Sequence, residues 1–420
     1  MRLLGGVTRR YIELAAAWIE SQRPSGPENG FRMVGGCSPW VECRRRAEKW
    51  KRGENVPKQI DNFFVRLIRV SKGRLYLDWP WKSGRIWKRP DFNVIRLFAA
   101  VLEMVKDMPD SVFFTMTYDR PLFPSNYPIP VFSHSPTLNG HSDIPFPWPR
   151  IINDEVEYYT EQLIGKKVTK YPDLDPTKDD IWKSRLEKAG FYGMLWEKNP
   201  AALSRQVVLD LSFVRPDLVD AKFTAANPMN PYNPLSDEEM FDMKIPRRSK
   251  RHLPDDQHGI TGLNETHIPG FVKTLRNKFQ KIQEKKDVYI RRYKYLVVLA
   301  GNSGADRLAT FFAHSGSVIL LQETDYLTHF TSRLKPWIHY VPIAFNAADL
   351  VEKVLWLKAH DNIARRIAKN GWVFGKSYLR LEDYYCYAAA AMENIASIEV
   401  GSDALQHFNS TPIESRWLRG

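Results

Sequence analysis

The chain has 420 residues, of which 43% are hydrophobic and 26% charged, a composition typical of globular proteins. Its length predicts two domains, and its three cysteines, Cys37, Cys43 and Cys386, exclude a disulfide framework and a zinc site. The formal net charge of +13 favours anionic partners, namely nucleotides, nucleic acid or acidic membrane surfaces.

The N-terminal segment "MRLLGGVTRRYIELAAAWIE" lacks the apolar core of a signal peptide. No apolar run reaches transmembrane length, so we expect no transmembrane segment. The chain is therefore expected to be cytosolic as written, or to lack its original N-terminus. Basic clusters at residues 43–52 and 247–252 are similar to nucleic-acid patches, but neither lies in a recognisable nucleic-acid-binding module. We interpret them as solvated loops and expect no nucleic-acid partner.

The first half of the chain predicts scattered strands and helices. Residues 93–106 have helical apolar spacing, and a buried strand at 112–117 is followed by Asp119. The other elements predicted in this half are strands at 128–135 and 192–199, a helix start at 158–167, and a helix at 179–190 that stops at Gly190. The polar region 227–270 is predicted to be a mobile loop.

From residue 271 onward, strands and helices alternate, which predicts a parallel, doubly wound sheet. The predicted order is a basic helix at 271–287, a strand at 295–300, a helix at 306–314, and strands at 315–323 and 339–343. A long helix then begins at the N-cap Asn346 and stops at Gly371. The last helix covers about 381–396.

The stretch "YLVVLAGNSGADRLATFF" reads as strand, glycine loop and helix. Gly301 and Gly304 can let backbone N–H groups approach an anion at the helix start. The loop is neither a P-loop nor a Gly-x-Gly-x-x-Gly fingerprint, and a plain tight turn is the simpler alternative. Arg307 is unfavourable at the positive end of a helix dipole, but it makes sense if a pyrophosphate binds there and the guanidinium grips it.

Two carboxylates follow predicted strands, where open α/β sheets place their ligands. Asp119 could act as a general base, although the residue pattern alone favours a turn-forming aspartate before Arg120. Glu323 is suitably placed to bind ribose hydroxyls. His339 is predicted to be a hydrogen-bonded structural residue. The "DLD" segment, Asp173 to Asp175, is similar to a metal-binding DxD motif, but its proline-rich setting predicts a loop.

The span from Tyr293 to Tyr387 resembles glycosyltransferase family 90, the capsule-associated protein and protein O-glucosyltransferase (Rumi-like) family. The residues that carry the resemblance are "YKYLVVLAG", "SGSVILLQE", "LKPWIHYVPI", "DLVEKVLWLKAHDNIARRIAKNG" and "YCY", with weaker matches upstream. The resemblance implies an α/β fold of GT-B architecture, with two Rossmann-like domains facing across a cleft. We expect an acceptor-side domain at 1–190, a nucleotide-sugar domain at 191–400 and a tail at 401–420.

The resemblance also implies the activity: an inverting transfer of a sugar, glucose or xylose, from a UDP-sugar to a hydroxyl of a protein or glycan acceptor. It implies no metal, no tightly bound cofactor, and a location in the lumen of the ER or Golgi. The family's catalytic aspartate matches Asp119, and its diphosphate-binding arginine matches Arg307. Its second donor-binding arginine matches Arg205, and its donor-contacting serine aligns with Asn199. The expected donor-binding set is Asn199, Arg205, Gly301, Asn302, Ser303, Gly304, Ala305, Asp306, Arg307 and Glu323.

One departure from the family pattern opens an alternative. The family shows an aromatic residue followed by Arg-Gly-Ser before its second arginine, whereas this chain has Trp196-Glu197-Lys198-Asn199. Loss of the arginine and glycine could alter donor choice or weaken donor binding. The alternative is therefore a catalytically degenerate relative that acts as a glycan- or protein-binding module.

Overall fold

A computed structural model gives the fold, which it describes for residues 65–78, 89–116, 131–137, 143–147, 174–195, 200–226, 291–301, 304–305, 307–396 and 410–412. The chain divides into two compact units. The first comprises Met1–Lys167, Tyr326–Arg333 and Arg380–Gly420, and the second comprises Val168–Asp325 and Leu334–Leu379. The predicted helices at 158–167 and 271–287, the loop at 227–270 and most of the tail lie outside the described residues.

The first unit contains one mixed six-stranded sheet, with strands numbered along the whole chain. Its strands are β1 (Val65–Ser71), β2 (Arg74–Asp78), β3 (Ser111–Met116), β4 (Val131–Ser133), β5 (Ile144–Pro145) and β11 (Ser410–Pro412). They lie in the order β11-β2-β1-β3-β4-β5. The strands β3, β4 and β5 are parallel, and the other neighbours are antiparallel. This arrangement confirms the strand predicted before Asp119.

Aromatic packing holds the first unit together. Helices α1 (Arg89–Met104) and α7 (Leu381–Ala396) lie against its sheet. Four buried phenylalanines join α1 to the parallel strands: the ring of Phe98 is 5.1 Å from that of Phe113, and the rings of Phe132 and Phe146 are 4.8 Å apart. Tilted ring contacts of this kind stabilise the unit in addition to the burial of apolar area.

The second unit contains one five-stranded sheet, and every strand in it is parallel to its neighbours. Its strands are β6 (Leu186–Leu195), β7 (Val219–Ala226), β8 (Tyr293–Val298), β9 (Val318–Gln322) and β10 (Val341–Ile343). Its described helices are α2 (Asp179–Lys183), α3 (Pro200–Val214), α4 (Leu308–His314), α5 (Leu350–Ala359) and α6 (Asp361–Tyr378). The β8 segment "YKYLVV" is buried throughout, as expected for a strand covered on both faces.

The strands of the second unit lie in the order β7-β6-β8-β9-β10. Chain order therefore reverses between β6 and β8, since β7 lies on one side of β6 and the later strands on the other. Such a reversal is the topological switch point of an open α/β sheet, and ligands bind outside the carboxyl ends of the strands there. The predicted parallel, doubly wound sheet is confirmed.

Buried cations fix the opposite, amino edge of the second sheet. The ammonium of Lys294 lies 2.8 Å from carboxylate oxygens of both Glu187 and Asp361. The buried guanidinium of Arg185 donates to the Ser317 hydroxyl at 2.6 Å. Burial lowers the pKa of Arg185 to about 10. These contacts join the starts of β6, β8, β9 and α6.

The predicted helix at 179–190 is wrong beyond its first turns. The helix α2 ends at Lys183, and Leu186 already begins β6. The reason is tertiary: Ala189 and Gly190 pair with β7 on one side and with β8 on the other. The central strand position outweighs the local helical pattern.

The predicted single helix from Asn346 to Gly371 is also corrected. It is two helices, α5 and α6, interrupted at His360, whose imidazole stacks on the Trp356 ring at 4.4 Å. The N-cap of α5 is Asp349 rather than Asn346. Gly371 lies inside α6, where a Cβ would be 2.6 Å from the carbonyl oxygen of His339. Close packing, and not helix termination, requires that glycine.

The division into units differs from the predicted boundary after residue 190. That boundary falls inside β6, a central strand of the second sheet, whereas the structural division lies at Lys167/Val168. The first unit also includes two later segments of the chain, Tyr326–Arg333 and Arg380–Gly420. No helix in the described ranges is both long and apolar enough to cross a membrane.

Candidate functional site

The candidate site is the carboxyl edge of the second sheet, around the switch point between β6 and β8. All five strands are parallel, so the residues that follow them meet at this edge. The loop after β8 begins with Leu299, Ala300 and Gly301 and leads into α4. The strand β6 leads into α3, which carries Arg205.

Arg307 lies directly before α4, and its side chain reaches β6. One of its terminal nitrogens donates to the carbonyl oxygen of Tyr192, and the guanidinium lies over the Tyr192 ring, 5.8 Å from its centroid. Within the described residues, no carboxylate is paired with this guanidinium. A half-buried guanidinium anchored by one nitrogen keeps other donors for an anion. Because α4 has only seven residues, its dipole adds little, and the guanidinium is the main positive group here.

Arg205 extends from α3 to the same loop. Its Nε donates to the carbonyl oxygen of Ala300 at 2.9 Å, and its Nη2 lies 3.4 Å from that of Leu299. The guanidinium also lies 5.8 Å from the centroid of the Phe191 ring on β6. Arg205 therefore fastens the loop after β8 to α3 and adds a second positive charge at the switch point.

A buried amide lies behind this loop. Gln322, the last residue of β9, accepts a hydrogen bond from the N–H of Ala300 at 2.8 Å. Its amide nitrogen donates to the Ser204 hydroxyl at 3.0 Å and to the carbonyl oxygen of Phe345 at 2.6 Å. One side chain thus connects the loops after β8 and β10 to α3.

Glu323 follows β9 at the same edge. Its N–H donates to the carbonyl oxygen of Ile343, which keeps β9 and β10 paired to their ends. Burial raises the pKa of the Glu323 carboxyl, and the nearby Asp349 carboxylate raises it further, while Lys353 opposes the shift. Burial raises the pKa of Asp349 as well, although its carboxylate accepts a hydrogen bond from the N–H of Ala344 at 2.8 Å. The edge beside the arginines therefore carries two half-desolvated carboxylates.

The structure brings together six of the predicted donor-binding residues along this edge: Arg205, Gly301, Gly304, Ala305, Arg307 and Glu323. The other predicted site residues lie outside the described residues: Asp119, Asn199, Asn302, Ser303 and Asp306. The roles of these five residues stay predictions.

Sequence reasoning missed Gln322, Ser204 and the carbonyl anchor at Tyr192. A signal for Gln322 was present, because a polar amide ends the otherwise apolar strand "VILLQ". Its partners were not visible in the sequence, since Ser204 lies 118 residues away.

Asp175 of the "DLD" segment forms a local turn, as predicted. Its carboxylate accepts hydrogen bonds from the N–H and the hydroxyl of Thr177, at 2.8 and 2.7 Å. These bonds hold the pKa of Asp175 below its ordinary value, against the effect of burial. In the ranges that the structure describes, no three His, Cys, Asp or Glu side chains are grouped closely enough to hold a metal ion.

Comparison with known families identifies the chain. The model described as "Glycosyl transferase family 90" matches residues 61–400. The chain belongs to glycosyl transferase family 90. The match covers both sheets except the edge strand β11, and the predicted resemblance and α/β fold are confirmed.

Three curated relatives are similar to this chain over different lengths. Protein O-glucosyltransferase 1 of Homo sapiens is 24% identical over 302 residues, which are 68% of this chain and 62% of the relative. Protein O-glucosyltransferase 3 of Rattus norvegicus is 37% identical over 115 residues, 27% of this chain. Protein O-glucosyltransferase 2 of Danio rerio is 34% identical over 109 residues, 26% of this chain. The matched part spans only 22% of the length of each of these last two relatives.

Proposed function

We propose that this chain is a UDP-sugar-dependent glycosyltransferase that transfers glucose or xylose to a hydroxyl of a protein or glycan acceptor. The observation that carries the proposal is that Arg205 contacts the main chain after β8 and Arg307 contacts that of β6, the two strands at the switch point of a parallel sheet, in a member of glycosyl transferase family 90. Two guanidiniums at this place suit a diphosphate better than a neutral ligand, because planar forks bind phosphate oxygens bidentately.

The arginines would act on the leaving group. As the bond from the anomeric carbon to the diphosphate oxygen breaks, negative charge grows on UDP. Arg307, already oriented by Tyr192, would stabilise that charge without reorganising. Arg205 would add its positive charge while holding the loop. Two fixed cations could thus supply the charge stabilisation that other transferases obtain from a metal ion.

Asp119 is proposed as the general base, on the resemblance to the family. It would take the proton of the acceptor hydroxyl while the hydroxyl oxygen forms a bond to the anomeric carbon and UDP departs from the opposite face. The anomeric configuration would therefore invert. Glu323 would bind the ribose hydroxyls, which are hydrogen-bond donors that a carboxylate accepts strongly. On the same resemblance, we propose that the reaction takes place in the lumen of the secretory pathway.

Titration calorimetry with UDP, UDP-glucose and UDP-xylose tests the donor site, and ADP serves as the control ligand. We expect the Arg307→Ala variant to bind UDP roughly 10- to 100-fold more weakly, because charge-assisted hydrogen bonds are worth about 1.5–3 kcal/mol. Arg307→Lys should recover part of the affinity, because lysine keeps the charge and loses the fork. The matched control is Arg366→Ala, which removes an exposed arginine from α6.

UDP affinity that is equal in the wild type and in Arg307→Ala, or equal affinities for ADP and UDP, would contradict the donor site. UDP binding without any turnover would instead support the alternative of a catalytically degenerate binding module. Two measurements, affinity and turnover, therefore separate the proposal from its alternative.

A further inference from the structure

We propose that Gln322 is a positioning residue for the donor: its side chain fixes the main chain at Ala300, directly before Gly301 of the proposed diphosphate-binding residues. The inference rests on the proposed function, because it assigns the loop its ligand. Gln322 itself would touch no part of the donor. It would act through the peptide of Ala300 and through α3.

The hydrogen-bond pattern leaves one orientation for the amide. The N–H of Ala300 needs an acceptor, and the carbonyl oxygen of Phe345 needs a donor, so the oxygen of Gln322 must face Ala300 and its nitrogen Phe345. The side chain is only 3% exposed, and Ser204 is fully buried. A buried amide with these partners cannot be replaced by an apolar side chain without leaving polar groups unpaired.

Side chains hold the Ala300 residue at both of its polar groups. Gln322 accepts from its N–H, and Arg205 donates to its carbonyl oxygen. Ser204, which bonds Gln322, is the immediate neighbour of Arg205 on α3. One network therefore sets both the loop that leads to Gly301 and the helix that carries the second arginine.

This network would lower the cost of binding. A loop that must be ordered when the ligand arrives loses affinity, whereas a preorganised loop does not. Gly301 directly follows the anchored Ala300. Releasing Ala300 would therefore free the start of the loop while leaving Arg307 bonded to Tyr192.

Three variants separate positioning from simple stability. Gln322→Met keeps the length and burial of the side chain and loses its hydrogen bonds to Ala300, Ser204 and Phe345. Ser204→Ala removes the bond from Gln322 to α3 and leaves the bond from Gln322 to Ala300 in place. Ser317→Ala is the matched control, because it removes a buried hydroxyl that accepts from Arg185 at the amino edge of the same sheet.

We expect Gln322→Met to weaken UDP binding roughly tenfold by titration calorimetry. It should also speed the exchange of the amide hydrogens from Leu299 to Gly301 in the UDP-free protein. Ser204→Ala should show a smaller loss of affinity. Ser317→Ala should lower the melting temperature and leave both UDP affinity and loop exchange unchanged.

Wild-type affinity and loop exchange in Gln322→Met would overturn the inference, as would equal losses of UDP affinity in Gln322→Met and Ser317→Ala. Failure of the proposed function has another signature: the wild-type protein then binds neither UDP nor a UDP-sugar. In that case the exchange measurement would still decide whether Gln322 holds the loop, although no donor would be positioned by it.

Discussion

Glu323 is a predicted site residue whose charge is opposed by the surrounding fold. Burial and the Asp349 carboxylate both raise the pKa of its carboxyl. Burial also raises the pKa of the Tyr340 hydroxyl, and the negative charge of Glu323 raises it further. A carboxylate that loses solvation on folding destabilises the native state when it is ionised. The presence of the Glu323 carboxylate at this edge is understandable if a ligand binds to it, since binding sites often reduce the stability of the native state.

Glu323→Gln should therefore make the protein more stable at pH 7 and weaken UDP binding roughly fivefold, because an amide accepts ribose hydroxyls less strongly than a carboxylate. The folded pKa is raised, so the native state binds more protons than the unfolded state between the two pKa values, and wild-type stability falls as pH rises through that window. The stability gain of the variant should shrink as pH falls to the ordinary glutamate pKa.

Melting curves from about pH 4, near the ordinary pKa of glutamate, to about pH 8 measure the effect on stability. UDP titrations at about pH 7 measure the effect on binding. Glu352→Gln, which removes an exposed carboxylate from α5, serves as the control. A variant that is less stable than the wild type at pH 7 would show that Glu323 has a structural role. A variant that binds UDP as well as the wild type would contradict the proposed binding of ribose by Glu323.

Single residues were predictable where a local pattern carried them. Gly301, Arg307 and Glu323 follow strands, so their positions at the sheet edge could be predicted from the sequence. The hydrogen bond that anchors Arg307 could not be predicted, because Tyr192 lies 115 residues away and accepts it through its main-chain oxygen. Any residue type could supply that carbonyl, so no side-chain pattern marks it.

The contact between α4 and α6 depends on a glycine. A Cβ at Gly375 would lie 2.4 Å from both the carbonyl carbon and the oxygen of Phe312, which is main chain and cannot swing away. The Phe312 and Phe374 rings pack beside it, with centroids 5.9 Å apart. Because Arg307 directly precedes α4, the position of this short helix determines the position of the Arg307 main chain, from which the guanidinium extends.

Gly375→Ala should push α4 away from α6. We expect a loss of about 1–3 kcal/mol in the free energy of unfolding from overpacking, partly offset by the better helix propensity of alanine. UDP affinity should fall as well, because Arg307 moves with α4. Val373→Ala, at an exposed position of the same helix, should stay within about 0.5 kcal/mol of the wild type.

Denaturant unfolding and UDP titration on both variants check this expectation. Higher stability in Gly375→Ala would mean that α4 and α6 have room to separate. Lower stability with unchanged UDP affinity would mean that the position of α4 does not control Arg307.

Helices and strands were predicted well where the spacing of apolar residues was clear. They were predicted poorly where tertiary contacts determine the secondary structure. The strands β8 and β9 and the helix α7 agree with prediction within about three residues, the expected uncertainty of such boundaries. The segment at 179–190 was predicted as a helix because its local pattern is helical, and only its pairing with β7 and β8 makes it a strand. Directly after the break at His360, Asp361 accepts a hydrogen bond from the ring nitrogen of Trp182, a partner 179 residues away.

At the scale of the whole molecule, the alternation of strands and helices was enough to predict a parallel sheet, and family membership is consistent with the α/β fold of both units. The unit boundaries were harder, because the chain returns to the first unit twice, at Tyr326–Arg333 and from Arg380. A linear sequence gives no local sign of such returns. His329, within the first return, is held between the rings of Tyr384 and Tyr387 of α7, which are more than fifty residues later.

Release of UDP from UDP-glucose and UDP-xylose by the purified chain tests the central claim most directly, with Asp119→Asn as the paired variant. We expect measurable UDP release by the wild type and a loss of at least roughly 100-fold in the variant, the usual contribution of a general base, while UDP affinity and melting temperature stay unchanged. A wild-type chain that binds UDP yet releases none from either donor, or an Asp119→Asn variant as active as the wild type, would contradict it.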